Sequence, residues 1–124
     1  MLSHVALMAL LVAPPPAITY IGRQNQLHVT IPRVAASATI DGTLNEPVWQ
    51  QAALLTGFSQ FSPQDGIPAS DSTQVLVWYS STALYIGIRA FESHGAVHAT
   101  QADRDKISAD DNVQILLGTF HDQR

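Results

Sequence analysis

The chain has 124 residues, enough for one domain with one hydrophobic core, and its 6 Lys and Arg against 10 Asp and Glu give a net charge of −4. No basic cluster occurs, so the electrostatic footprint of a nucleic-acid binder or of a protein held on an anionic membrane is missing, and the absence of cysteine excludes disulfides and thiolate metal sites. A charged fraction of 13%, with Ser, Thr, Gln and Asp well represented, favours an exposed β-rich module.

In chain order, the apolar run over residues 5–13 continues into Pro14, Pro15, Pro16 and Ala17, which is the length of a signal-peptide core and too short to span a bilayer. Only His4 stands where a leader carries its Lys or Arg. Residues 1–22 therefore read either as a secretory leader, with the mature chain starting near Ala17 or later, or as a buried strand or helix. Residues 23–32 are expected to be a linker or a lead-in strand, because Leu27, Val29 and Ile31 alternate with His28 and Thr30 until Pro32, which has no amide to give to a ladder. Residues 34–40 form a second short extended run, closed by the turn pair Asp41-Gly42.

One short helix is expected around residues 47–53, with Glu46 as its cap, Pro47 in its first turn, and Val48, Trp49, Ala52 and Ala53 on one apolar side. So short a helix is marginal alone and needs Trp49 docked onto a sheet. Phe58 and Phe61 precede a loop marked by Pro63, Asp65, Gly66 and Pro68. Residues 73–91 then carry the clearest signal of the chain. Val75, Val77 and Tyr79 alternate with Gln74, Leu76 and Trp78, Ser80 to Thr82 interrupt, and Leu84, Ile86 and Ile88 alternate with Tyr85, Gly87 and Arg89, which predicts a β-hairpin. Its first arm is apolar on both faces, as in a central strand covered from two sides. Residues 92–111 are polar and irregular, and Val113, Ile115 and Leu117 restart a strand. The fold class expected from this pattern is all-β, a β-sandwich whose strand count is low for a complete one, so that its last strands are expected beyond Arg124.

These elements carry a family likeness in four ordered blocks: Ile40-Asp41-Gly42-Thr43-Leu44-Asn45-Glu46-Pro47-Val48-Trp49, Val75-Leu76-Val77-Trp78-Tyr79, Ala83-Leu84-Tyr85-Ile86-Gly87, and Asp110-Asp111-Asn112-Val113-Gln114-Ile115-Leu116-Leu117. Together they resemble the family 9 carbohydrate-binding modules, in the version found at the N-terminus of large exported bacterial proteins whose longer remainder resembles an outer-membrane barrel. The likeness covers residues 33–124. It implies a β-sandwich, binding of a poly- or oligosaccharide, frequent attachment to glycoside hydrolases and so a link to polysaccharide breakdown, and a periplasmic, outer-membrane-associated or extracellular location. The sequence departs from the family at Gly118, where Asp is usual, and the family's later strands are not present. A structural or docking sandwich that has lost sugar binding, packed on a barrel in the same parent chain, is the alternative those departures raise.

Sugar recognition needs flat apolar faces for the C–H side of the ring and planar polar groups for its hydroxyls. Trp78, Tyr85, Arg104 and Asp111 are the candidate carbohydrate contacts, while Trp49 reads as a core plug. Trp78 and Tyr79 point to opposite faces of one strand, so the alternative for Trp78 is cover by neighbouring chain. Asp103, Asp105 and Asp110 are candidate ligands of a hard cation such as calcium, with a solvated turn as the other reading, since their spacing is not that of an EF-hand loop. A glycosidase would need two carboxyl groups held at a set separation, and neither that nor a Ser-His-Asp or phosphate-loop pattern is fixed by the sequence, so the chain is read as non-catalytic.

Overall fold

The computed structural model describes residues 17–93, Gly95 and residues 112–118. The chain divides into two compact units, Met1–Ser93 and His94–Arg124. The first unit holds a four-stranded sheet with strands in sequence order, β1 (Thr19–Ile21), β2 (Ala53–Thr56), β3 (Thr73–Tyr79) and β4 (Leu84–Ala90). β1 runs parallel to β2, and the other neighbours are antiparallel.

The hairpin β3–β4 forms as its alternation predicts, in a register that sets Leu76 opposite Gly87, Val77 opposite Ile86 and Trp78 opposite Tyr85. Ser80 shapes its turn: the Ser80 amide donates to the Ala83 carbonyl at 2.8 Å, and the Ser80 Oγ accepts from the amides of Thr82 (3.2 Å) and Ala83 (3.1 Å). A serine hydroxyl satisfying turn amides in this way holds the tight reversal without a glycine.

One face of the sheet carries the core. Leu76 and Trp78 of β3 pack with Val48, Trp49 and Ala52, and half-buried Val34, Ala38, Leu44, Leu54 and Tyr85 close around them. Trp49 stands edge-on to Trp78, centroids 6.0 Å apart and planes at 81°, the geometry the ring quadrupoles favour. Gly87 lies beneath this layer, where a Cβ would meet Leu44 Cδ2 at 2.9 Å and Trp49 Cζ3 at 3.0 Å; the missing side chain lets Leu44 and Trp49 reach the sheet. On the opposite face Ala53 and Val77 are buried, Val75, Ile86 and Ile88 are half-buried, and Tyr79 and Leu84 are exposed.

Several expectations are corrected. The helix around residues 47–53 is a single 3-10 segment, Pro47–Gln51, and Ala53 instead opens β2, which pairs with the hairpin through Ala53–Val77, Leu54–Leu76 and Leu55–Val75. The apolar spacing of Val48, Trp49 and Ala52 is served by a tight turn that plants Trp49 on the sheet, and the chain then straightens to gain ladder hydrogen bonds. Residues 27–31 and 34–40 alternate but form no strand, because apart from the bridge of Arg33 to Tyr79 no described strand lies beside them to pair with. At Tyr20, where the sequence left a leader, a linker or a lead-in strand open, the chain forms β1, whose register is Thr19–Leu54, Tyr20–Leu55 and Ile21–Thr56.

In the second unit, residues 112–118 carry no regular secondary structure. The strand expected at Val113, Ile115 and Leu117 is therefore absent among the described residues. Alternation supplies a strand's side chains, but a strand exists only where a neighbour takes its amides and carbonyls.

The β-rich class holds, with one sheet and only short 3-10 segments among the described residues. No helix among them is long and apolar enough to cross a membrane.

Candidate binding cleft

Two sequence-distant segments meet beyond the end of β3. Pro32 ends the alternating stretch before it, and its carbonyl accepts from the Tyr79 amide at 3.1 Å while the Val34 amide donates to the Tyr79 carbonyl at 2.9 Å. That pair of hydrogen bonds sets residues 33–37 beside the hairpin turn. The result is a cleft of about 640 Å³, lined by residues 33–37, by Ser80, Ser81 and Thr82 of the turn, and by Tyr85 of β4. Its size suits a small ligand.

Tyr85 is the aromatic of the cleft, and Trp78 lies directly behind it. The two rings stack with centroids 3.9 Å apart and planes within 4° of parallel, as a directly opposed cross-strand pair allows. Trp78 is fully buried, so it meets no ligand face and serves as the backing of Tyr85. Its burial answers the alternative left open by the sequence: Leu76 and Trp78 share the side that carries the core, and Tyr79 points to the opposite face. The Trp78 Nε1 is buried without a hydrogen-bond partner among the described residues. Leaving such a donor unmade costs about 1–3 kcal/mol, which the packing of the large ring offsets.

The rest of the lining is polar by hydroxyl rather than by carboxylate. Ser80 is committed to the turn, whereas the hydroxyls of Ser37 and Ser81 make no hydrogen bond with the described residues. Arg33 is exposed, and its guanidinium forms no ion pair or hydrogen bond with the described residues. Among the described residues no Asp or Glu lines the cleft.

The carboxylates nearest in sequence are occupied elsewhere. Glu46 stands at the N-cap of Pro47–Gln51 as expected, but its side chain makes no cap hydrogen bond: Oε1 accepts from the Thr39 amide at 2.8 Å and Oε2 from the Trp49 Nε1 at 3.0 Å, tying the preceding loop to the core indole. The Thr39 amide is the main reason its carboxyl sits below the ordinary glutamate value, with Glu46's own amide and the Trp49 indole acting in the same direction and the Asp41 charge opposing. The Asp41 carboxyl is likewise lowered, by the Thr43 hydroxyl and then the Thr43 amide, at 2.7 Å and 2.9 Å. This is an Asx turn ahead of Leu44, with Gly42 at φ 83° in the left-handed position.

Of the candidate contacts read from the sequence, the structure brings Trp78 and Tyr85 together. Arg104 and Asp111, and the candidate calcium ligands Asp103, Asp105 and Asp110, lie outside the described residues. Among the described residues no three His, Asp or Glu side chains gather to hold a metal ion. Arg33, Ser37 and Ser81 were not legible as site residues, since nothing local relates residues 33–37 to residues 80–82; the one signal was Pro32, which ends a run next to a basic residue. Comparison with known protein families, with curated proteins and with solved structures finds no match for this chain.

Proposed function

We propose that the chain is a non-catalytic carbohydrate-binding module and that the cleft at Tyr85 is where the saccharide sits. The observation that carries the reading is the backed tyrosine: Tyr85 lines a cleft of hydroxyl groups with Trp78 stacked behind it. An aromatic face takes the C–H side of a sugar ring, and the Ser37 and Ser81 hydroxyls with the Arg33 guanidinium supply acceptors and donors for its hydroxyls. The ordered blocks that resemble family 9 modules point the same way. On that resemblance the parent protein is exported by a bacterium and joins the module to a longer region, in the setting of polysaccharide breakdown. A sandwich is the architecture we propose, a second layer covering the half-buried Val75, Ile86 and Ile88.

Isothermal titration or affinity electrophoresis against soluble glucans, xylans and short oligosaccharides tests the function. Saturable binding is expected, and Tyr85→Leu should weaken it about tenfold with the circular dichroism spectrum preserved, in line with the worth of an aromatic contact. Lack of binding across the whole panel removes the reading.

The burial of Trp78 favours a second reading from another class. With one aromatic of the candidate pair committed to the core and Tyr79 and Leu84 exposed on the opposite face, the chain would be a structural domain docking on a membrane barrel of the same parent protein. A glycan-negative protein that co-purifies with that barrel, and loses the association on Leu84→Asp, is the outcome that reading requires.

A further inference from the structure

Resting on the carbohydrate reading of the same cleft, we infer that its ligand is an acidic saccharide, a sugar ring bearing a carboxylate such as a uronic acid, and that Arg33 is the specificity-determining residue. Arg33 is the one charged side chain among the described residues of the lining. Its position comes from the backbone, through the bridge to Tyr79 and the flanking hydrogen bonds at Pro32 and Val34, so among the described residues the side chain bears no structural duty. It makes no ion pair or hydrogen bond with the described residues, and both carboxylates of the nearby 41–46 loop are engaged, Asp41 by Thr43 and Glu46 by Thr39 and Trp49.

A guanidinium is a planar fork that matches a carboxylate with two parallel hydrogen bonds, a match a neutral hydroxymethyl group does not offer. Tyr85 would take the ring face, Ser37 and Ser81 the ring hydroxyls, and Arg33 the carboxylate. The chain as a whole is acidic, at −4, so general attraction of a polyanion is opposed rather than supplied by the rest of the protein. A preference for acidic sugars would have to come from the cleft.

The experiment uses matched pairs of equal length, an oligogalacturonate against a neutral galacto-oligosaccharide and a glucuronate oligomer against a gluco-oligosaccharide, titrated into the full 124-residue chain at low and at 0.5 M salt. The acidic member of at least one pair should bind about tenfold or more tightly, with the advantage reduced by salt, because a charge-assisted hydrogen bond is worth roughly twice a neutral one and an exposed pair is screened. Arg33→Gln should abolish the preference and leave the melting midpoint unchanged, and Arg33→Lys should keep part of it. Equal binding within both pairs overturns the inference and leaves sugar binding standing. A preference that survives Arg33→Gln overturns it as well. Binding to no member of either pair overturns the inference, and the carbohydrate reading falls with it only if the glucan and xylan panel is negative too.

Discussion

At the level of single residues, the Glu46 carboxylate gathers donors from two parts of the chain, the Thr39 amide and the Trp49 indole, and thereby fixes the loop over the core. Because these donors hold its folded pKa below the unfolded value, the stability it contributes is present above the ordinary glutamate pKa, about 4.3, and is lost as pH falls through the folded value. Thermal melts of the wild type and Glu46→Gln at stepped pH check this: the wild type should be the more stable at pH 7, and the gap should close progressively below about pH 4.3. A gap that does not depend on pH would mean the carboxylate is not ionised in this role. Gly87 offers a second test. An added methyl would press on Leu44 and Trp49, so Gly87→Ala is expected to destabilise by about 1–3 kcal/mol, the usual cost of overpacking, read from a denaturant midpoint. A neutral outcome would show that the Leu44 side chain swings clear.

Among the elements, β1 is the most exposed to a single change. It is three residues long and is held by β2, where the Leu54 amide donates to the Ile18 carbonyl at 2.9 Å, and by the Arg23 amide on the Gly57 carbonyl at 3.1 Å. Gly57 has φ 66°, and a Cβ there would lie 2.6 Å from Ile21 Cγ2. Gly57→Ala should therefore strain the turn by about 1–2 kcal/mol from its left-handed backbone alone, and push β1 from its neighbour. Hydrogen exchange should quicken at Leu54 while the Val34 amide, bound to Tyr79 at the C-terminal end of β3, keeps its protection. Equal acceleration at both amides would mean the sheet opens only as a whole. In the β3–β4 turn, Ser80→Ala removes the acceptor of two amides and should cost about 1 kcal/mol, measured by the same denaturant midpoint.

For the molecule as a whole, the cleft exists only when residues 33–37 and residues 80–85 are brought together, so ligand binding and folding are linked. A saccharide that binds the folded cleft alone should raise stability by RT ln(1 + [L]/Kd), about 2.7 kcal/mol at a hundredfold excess over Kd. At the same ligand concentration the melting midpoint should rise in the wild type and only about half as far in a tenfold-weakened Tyr85→Leu, whose gain is about 1.4 kcal/mol. An unchanged midpoint at saturating ligand would place any binding away from this cleft.

The hairpin and the role of Trp49 were legible in the residue pattern. In β3 and β4 the alternation is long, the break at Ser80 is sharp, and both pairing partners lie within one stretch of chain, so local pattern and tertiary pairing agree. Trp49 could be placed because a short segment opening at Pro47 has little else to hold it. The cysteine-free composition alone excludes disulfides and thiolate metal sites, because the lack of thiols does not depend on how the chain folds. Tertiary contacts were needed to establish that Ala53 begins a strand, that Leu27 and Ile40 do not belong to one, and that Trp78 is buried while Tyr85 meets the cleft. The reason is common to all of them. A strand and a binding surface are each made by a second piece of chain, supplying hydrogen bonds in one case and an opposing wall in the other, and residues 33–37 come to the hairpin turn through backbone bonds to Tyr79 that no local residue pattern encodes.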